Sequence, residues 1–287
     1  MTVLLPVAGL VMLLMAGCAG LRLYRMLARR SASYPTAACV EKLRRSRPSA
    51  ARLVCLGDSI TRGSFGASYV SLLEKHLSPA AWAVLNAGIN GDLALNALAR
   101  LEDVIAAQPT AVTILLGTND ILASMSPKDF QSYVLMGKIR HPTGFADYQA
   151  HVGEIVRRLQ EKTRAHIALM SIPLISEDLD HEVNRRGDAY SEYLRQLADR
   201  LNLQYLPVRE TQKAYLKTAA TKGGQPFEGS DRLGMSAIAG SLVGLSWDKI
   251  SERSGNQLTI DNIHSNSRSA QMMADLIEGF VRKVPLA

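Results

Sequence analysis

Four short segments of this chain carry side chains suited to acyl-transfer chemistry. An apolar run, "ARLVCLG" at 51 to 57, ends abruptly in Gly57, Asp58 and Ser59. "NAGINGD" at 86 to 92 contains Gly91, "GTND" at 117 to 120 contains Asn119, and "DNIH" at 261 to 264 spaces Asp261 and His264 three residues apart. A serine hydroxyl is a poor nucleophile until a neighbouring base takes its proton as it attacks. His264 is the candidate base, and Asp261 could bond its second ring nitrogen, fixing the tautomer and stabilising the imidazolium. Attack on an ester carbonyl leaves charge on oxygen, for which the N–H groups of Ser59 and Gly91 and the side-chain amide of Asn119 are candidate donors. Gly91 also lets backbone approach a substrate with no Cβ in the way. Asp58 is expected to brace the turn by hydrogen bonds rather than to react. Taken singly, each segment also suits ordinary structure: Asn119-Asp120 a turn, Gly91 a positive φ, Ser59 a helix cap.

Such segments act together only if one scaffold converges them. From residue 52 onward, short β-branched or apolar runs bounded by Gly, Asn or Pro predict strands at 52–57, 82–86, 111–117, 166–172 and 203–208. Between them, apolar residues at helical spacing predict helices at 67–77, 92–108, 145–163, 186–202 and 267–284. In the second, Leu93, Leu95, Leu98, Leu101, Val104 and Ile105 form a stripe that reads as core. The alternation predicts an α/β domain whose parallel sheet is covered by helices on both faces. Right-handed crossovers then set ligands at the carboxyl ends of the strands, the rim to which all four segments belong. Two stretches, 121–144 and 209–258, fall outside the alternation and read as insertions. The second has a small, apolar centre that either packs on the domain edge or covers a cleft.

In order and placement, Ser59, Gly91, Asn119 and His264 make residues 52–120 and 257–284 resemble the GDSL or SGNH hydrolases, named for those four residue types. The resemblance implies a three-layer α/β/α flavodoxin-like fold and no metal or organic cofactor, but no particular substrate; the partner expected is a small acyl ester of a lipid or an acylated sugar. Esterase, lysophospholipase, thioesterase or carbohydrate-deacetylase activity would each fit. An acyltransferase using the same triad, or a catalytically silent membrane-associated binding protein, is the alternative. The Gly-x-Ser-x-Gly elbow of the larger α/β-hydrolase fold is missing, since "GMSAI" at 234–238 has no closing glycine. Asp178 and His181, in the charged "SEDLDHEV", form a second Asp-x-x-His expected to lie in a solvated loop. Three cysteines, Cys18, Cys39 and Cys55, make no C-x-x-C pair and no zinc spacing.

The chain's beginning differs from the rest. Residues 2–21 carry no charge and are long enough to span a bilayer, so residues 1–24 are expected to form a membrane anchor. Residues 22–52 hold nine Lys/Arg against one acid, Glu41, a net of +8 in a chain whose total is +7. That concentration reads as a basic juxtamembrane linker over residues 25–50, attracted to anionic headgroups by ~1 kcal/mol per basic residue. It is not the surface of a nucleic-acid binder, which would interleave Lys and Arg with stacking aromatics through the folded domain. Positive residues after the apolar segment and none before it favour a cytoplasmic-facing domain. Met15-Ala16-Gly17-Cys18 resembles a lipoprotein cleavage site, with export and lipidation at Cys18 as the rival outcome. Residues 51–287 are then the hydrolase domain.

Overall fold

The computed structural model describes residues 31–77, 81–218, 227 and 244–286. In chain order the elements begin α1 (Ala37–Ser46), β1 (Ala51–Gly57), α2 (Ser59–Arg62), α3 (Tyr69–His76) and β2 (Trp82–Gly88). They continue α4 (Ala94–Ala99), α5 (Leu101–Ala106), β3 (Ala111–Leu115), α6 (Thr118–Ala123), α7 (Pro127–Leu135) and α8 (Phe145–Lys162). The remainder are β4 (His166–Met170), α9 (Glu182–Leu201), β5 (Gln204–Leu206), α10 (Val208–Thr218), α11 (Trp247–Arg253) and α12 (Ser267–Val281).

All five strands pair in parallel in the order β2-β1-β3-β4-β5. Strands buried on both faces need continuous apolar runs, and β1 and β3 have them: Leu53 to Leu56 and Ala111 to Leu115 are buried throughout. Helices α4, α5, α8 and α9 pack together on one face, while α3, α10 and α12 pack on the other. The chain passes from β1 to β2 on one side of it and then crosses back to place β3 on the other. The switch in strand order therefore falls beside the end of β1, where a crevice opens in sheets of this kind. At that end Gly57 permits close packing. A Cβ there would lie 2.0 Å from Thr61 Oγ1 and 2.7 Å from the Leu115 carbonyl, so α2 could not turn directly onto the strand.

Each expected strand is present, with β3, β4 and β5 each ending two residues early. Beyond β3 the Leu116 carbonyl takes a hydrogen bond from the Tyr148 hydroxyl at 3.1 Å instead of a ladder partner. The helix expected over 92–108 is broken at Arg100, whose backbone (φ −113°, ψ 16°) leaves the helical region. Arg100 reaches back to Asp92 and to the Gly57 carbonyl, a tertiary demand that periodicity does not encode. Of the expected stripe, Leu93, Leu101, Val104 and Ile105 are buried, whereas Leu95 and Leu98 are half-buried.

Other expectations are corrected. The described part of the supposed linker, residues 31–50, packs onto the sheet edge: Tyr34 and Val40 are buried, the Tyr34 hydroxyl donates to Asp103 at 2.8 Å, and the Asn86 N–H donates to the Ser33 carbonyl. The folded unit therefore begins ahead of residue 51. The first part of the supposed insertion at 209–258 is also integral, because buried Arg209 donates to Asp188 at 2.7 Å and to the Pro173 carbonyl at 3.3 Å. Asp178 is exposed and lies with His181 in the loop before α9, as expected of a solvated loop. His181 caps α9, its Nδ1 accepting from the Val183 N–H, which also starts that helix four residues earlier than expected. Among the described residues no helix is long and apolar enough to cross a membrane. The apolar stretch 2–21, Cys18 and "GMSAI" lie outside the described residues.

Candidate active site

Ser59 is the first residue of α2, immediately beyond β1, and its N–H therefore has no acceptor within the helix. Asp58 caps that helix, its Oδ1 accepting from the Ile60 N–H at 2.9 Å. The serine side chain is buried and its Oγ lies 2.9 Å from His264 Nε2. The other ring nitrogen, Nδ1, lies 2.8 Å from Asp261 Oδ2, while Asp261 Oδ1 accepts the backbone N–H groups of Ile263 and His264. Residues 205 apart in sequence thus form a continuous serine, imidazole and carboxylate relay.

The loop carrying Asp261 and His264 is held from several sides. An antiparallel bridge between Thr259 and Ser265 closes its neck, and Ile260 N–H donates to the His264 carbonyl at 2.8 Å. Asn262 turns through a positive φ of 71°, and its carbonyl accepts from Ser176 N–H at 2.7 Å. Glu177 grips the incoming strand of the loop. One of its oxygens accepts from the N–H groups of Leu258 and Thr259 and from the Thr259 hydroxyl, the other from Gln257 N–H. Phe65 packs its ring 5.1 Å from the imidazole and joins Ile250 and Ile260 in a small apolar cluster beneath it. Sequence reasoning missed Glu177 and Phe65. Glu177 acts across some eighty residues, and nothing in its neighbourhood marks it.

Gly91 lies three residues beyond β2 in the left-handed region, φ 71°, and Lys138 covers it so closely that an added Cβ would meet Lys138 Cε at 3.2 Å. Asn119 sits at the start of α6. Its Nδ2 donates to Asp58 Oδ2 at 3.1 Å and to the Asp92 carbonyl at 3.0 Å, and its Oδ1 accepts from the Tyr133 hydroxyl at 2.7 Å. Asp120 caps α4 by accepting the Ala94 N–H on both carboxylate oxygens. Asp92 is clasped by Lys138 Nζ at 2.7 Å and Arg100 Nε at 2.8 Å.

Electrostatics follow from burial. Asp58 and Asp120 are each pushed up to about 7, chiefly because burial penalises their charged forms. Burial also works against a charged His264, but the charge and hydrogen bond of Asp261 and the charge of Asp58 outweigh it, so the imidazole is raised above 6.5. Cys55, in β1, is pushed up to about 12 by burial and is chemically quiet. Among the described residues no group of three or more His, Cys, Asp or Glu side chains is arranged to hold a metal ion. The arrangement can activate a hydroxyl, hand its proton to a leaving group and present N–H donors nearby.

Comparison with known proteins agrees with that chemistry. Residues 55–232 match the GDSL-like Lipase/Acylhydrolase family. The chain is 28% identical to an acetylxylan esterase of Geobacillus stearothermophilus over 185 residues, 58% of this chain and 80% of that protein. It is 38% identical to Esterase TesA of Pseudomonas aeruginosa over 85 residues, 28% of this chain and 42% of that protein. A crystal structure of an acetylxylan esterase from Geobacillus stearothermophilus shares the fold, with TM-score 0.54 and 22% identity over 83% of this chain and 97% of that one. So does an alpha/beta hydrolase enzyme from the metagenome of Lake Arreo, Spain, with TM-score 0.56 and 21% identity over 82% and 98%. With its family matched across more than half its length, the chain belongs to the GDSL-like lipase/acylhydrolase family and is an ester-bond hydrolase.

Proposed function

We infer that this hydrolase works through a covalent acyl-enzyme on Ser59 and that its substrate is an O-acetylated carbohydrate. The observation that carries the mechanism is the relay from Ser59 Oγ through His264 to Asp261, at 2.9 and 2.8 Å. Ser59 Oγ attacks the ester carbonyl carbon as its proton passes to His264 Nε2. The tetrahedral oxyanion accepts from the N–H groups of Ser59 and Gly91 and from Asn119, which shares the longer of its two bonds, the one to Asp58 at 3.1 Å. Collapse breaks the bond to the alcohol oxygen, which takes the proton from His264. Water then attacks the acyl-enzyme, with His264 again as base, releasing acid and free Ser59. Asp261 orients the imidazole and stabilises its charged form. The substrate class is supported by the likeness to an acetylxylan esterase over most of that protein's length.

Labelling with a fluorophosphonate probe tests the mechanism. Wild-type protein should label stoichiometrically, and Ser59→Ala should not label at all; His264→Ala should lose ~10²-fold or more in turnover of p-nitrophenyl acetate. Undiminished labelling of Ser59→Ala would remove Ser59 from the mechanism. For the substrate, acetylated xylo-oligosaccharides and acetyl esters should turn over faster than esters of long acyl chains; a preference for long chains would point to a lipid substrate instead. The N-terminal stretch 2–21, uncharged and followed by Arg22, Arg25, Arg29 and Arg30, supports a further reading in which the enzyme is membrane-anchored.

A further inference from the structure

The stretch 121–144, which carries no recognisable motif, meets the candidate active site at two points. Its helix α7 buries Tyr133, whose hydroxyl donates to Asn119 Oδ1 at 2.7 Å. The helix then ends in a paired closure: Gly137 N–H donates to the Val134 carbonyl and Lys138 N–H to the Tyr133 carbonyl, both at 2.9 Å, with Gly137 at φ 69°. That closure turns Lys138 back over the site, its methylenes lying against Gly91 and its Nζ 2.7 Å from Asp92 Oδ1. The Lys138 carbonyl is itself pinned by Asn96 Nδ2 at 2.9 Å. Asp92 completes the circuit, because its carbonyl accepts from Asn119 Nδ2 at 3.0 Å.

Tyr133, Asn119, Asp92 and Lys138 thus form a closed ring, joined at one side by the backbone of a single helix end. We propose that Tyr133 and Lys138 are positioning residues that set two of the three oxyanion donors, Asn119 and Gly91, for the reaction on Ser59; this rests on the acyl-enzyme mechanism given above. Each acts on a different degree of freedom. An asparagine amide can flip, exchanging its oxygen for its nitrogen. The Tyr133 hydroxyl accommodates either face, but a flipped Asn119 would turn its oxygen onto the Asp58 carboxylate and the Asp92 carbonyl. Donation from Tyr133 to Oδ1 adds to that preference, so the amide hydrogens stay on Asp58 Oδ2 and the Asp92 carbonyl and are polarised by the bond at the other end of the amide. Lys138 acts on the backbone instead. It fastens Asp92 from the side opposite Arg100 and caps the left-handed turn at Gly91, so that this N–H keeps one direction. The stretch outside the regular alternation is then the part of the chain that tunes turnover.

The test compares Tyr133→Phe, Lys138→Met and Lys138→Arg with wild type, with Arg140→Ala, on the same stretch and exposed, as a control. Misplacing one oxyanion donor commonly costs less than deleting it, so Tyr133→Phe and Lys138→Met should each lower kcat for p-nitrophenyl acetate by ~10-fold. KM should stay within ~2-fold, because the contact is made with the transition state and not with bound ester. The rate of fluorophosphonate labelling should fall in step with kcat, Lys138→Arg should recover most of the loss, and Arg140→Ala should match wild type. Unchanged kcat and labelling rate in folded Tyr133→Phe and Lys138→Met would overturn the proposal, as would a loss carried by KM alone. Should Tyr133→Phe fail to fold, the partly exposed Lys138 and its arginine variant carry the test. Labelling that persists in Ser59→Ala would sink the acyl-enzyme mechanism itself, an outcome distinct from a Ser59-dependent enzyme indifferent to Tyr133 and Lys138.

Discussion

His264 is the residue on which opposing influences meet. Burial favours the neutral ring, while Asp261 on one side and the charge of Asp58 on another favour the imidazolium, and the charged form gains. A base raised above 6.5 is protonated and idle in mildly acidic solution, so kcat/KM should climb with pH along a limb whose midpoint lies above 6.5. Asp261→Asn should shift that limb to lower pH and reduce its plateau by ~10²- to 10⁴-fold, which a pH–rate series of the two proteins measures. The same raised pKa makes His264 a source of stability that is complete below 6.5 and lost as pH rises through the folded-state value. Asp58 and Asp120 act in the same direction. Their folded-state values near 7 stand above the ordinary 3.8, so the folded protein holds protons that the unfolded chain releases. Stability from these groups therefore declines between about pH 4 and pH 7. Asp120→Asn keeps an acceptor for the Ala94 N–H and removes the titration. Its thermal midpoint should fall less steeply than that of wild type between about pH 4 and pH 7; parallel declines would contradict the burial argument.

At the scale of elements, the site depends on loops held by side chains distant in sequence. Glu177 satisfies three backbone N–H groups and one hydroxyl on residues 257–259, directly ahead of Asp261. Hydrogen bonds to a charged acceptor contribute ~1.5–3 kcal/mol each, though such terms overlap on one carboxylate. Glu177→Ala should lower the melting temperature by several degrees, since ~1 kcal/mol corresponds to ~2–4 °C in a domain of this size. It should also reduce kcat by ~10-fold with KM little changed, because His264 loses its fixed distance to Ser59. Steady-state kinetics below the melting temperature check this: a stability loss with full kcat would leave Glu177 a purely structural clamp. The break at Arg100 has the same character. An uninterrupted helix would satisfy the apolar stripe, yet the chain gives up regular backbone at one residue to bring a guanidinium to Asp92 and the Gly57 carbonyl.

For the molecule as a whole, the sheet order β2-β1-β3-β4-β5 explains why four segments spread over 205 residues reach one rim. The ends of β1, β2 and β3 open on the same side, and the loop before α12 returns to them across the sheet. Charge is distributed unevenly: the basic excess lies in residues 22–52, of which α1 belongs to the folded unit and Arg22 to Arg30 precede it. If residues 2–21 anchor the enzyme, the full chain expressed in bacterial cells should pellet with membranes and resist extraction by alkaline carbonate. Release into the supernatant would argue against a spanning segment. Retention abolished by Cys18→Ser would instead identify a lipid attached at that cysteine.

The alternating apolar runs determined the α/β class, the five strands and their buried character, because a strand covered on both faces must be apolar throughout. Residue type and order alone also marked Ser59, Gly91, Asn119, Asp261 and His264, since acyl transfer needs a nucleophile, a base, an orienter and N–H donors that few other residues supply. Tertiary structure decided what local pattern cannot carry. Helix 92–108 breaks at Arg100, residues 31–50 fold against the sheet, and His181 caps a helix while His264 meets Ser59. Asn119 holds its amide between Asp58 and Asp92, and Glu177, Phe65, Tyr133 and Lys138 support the site from three separate segments. Each of those contacts joins residues whose own neighbourhoods are unremarkable, and a side chain's partner across the fold leaves no periodicity behind to be read.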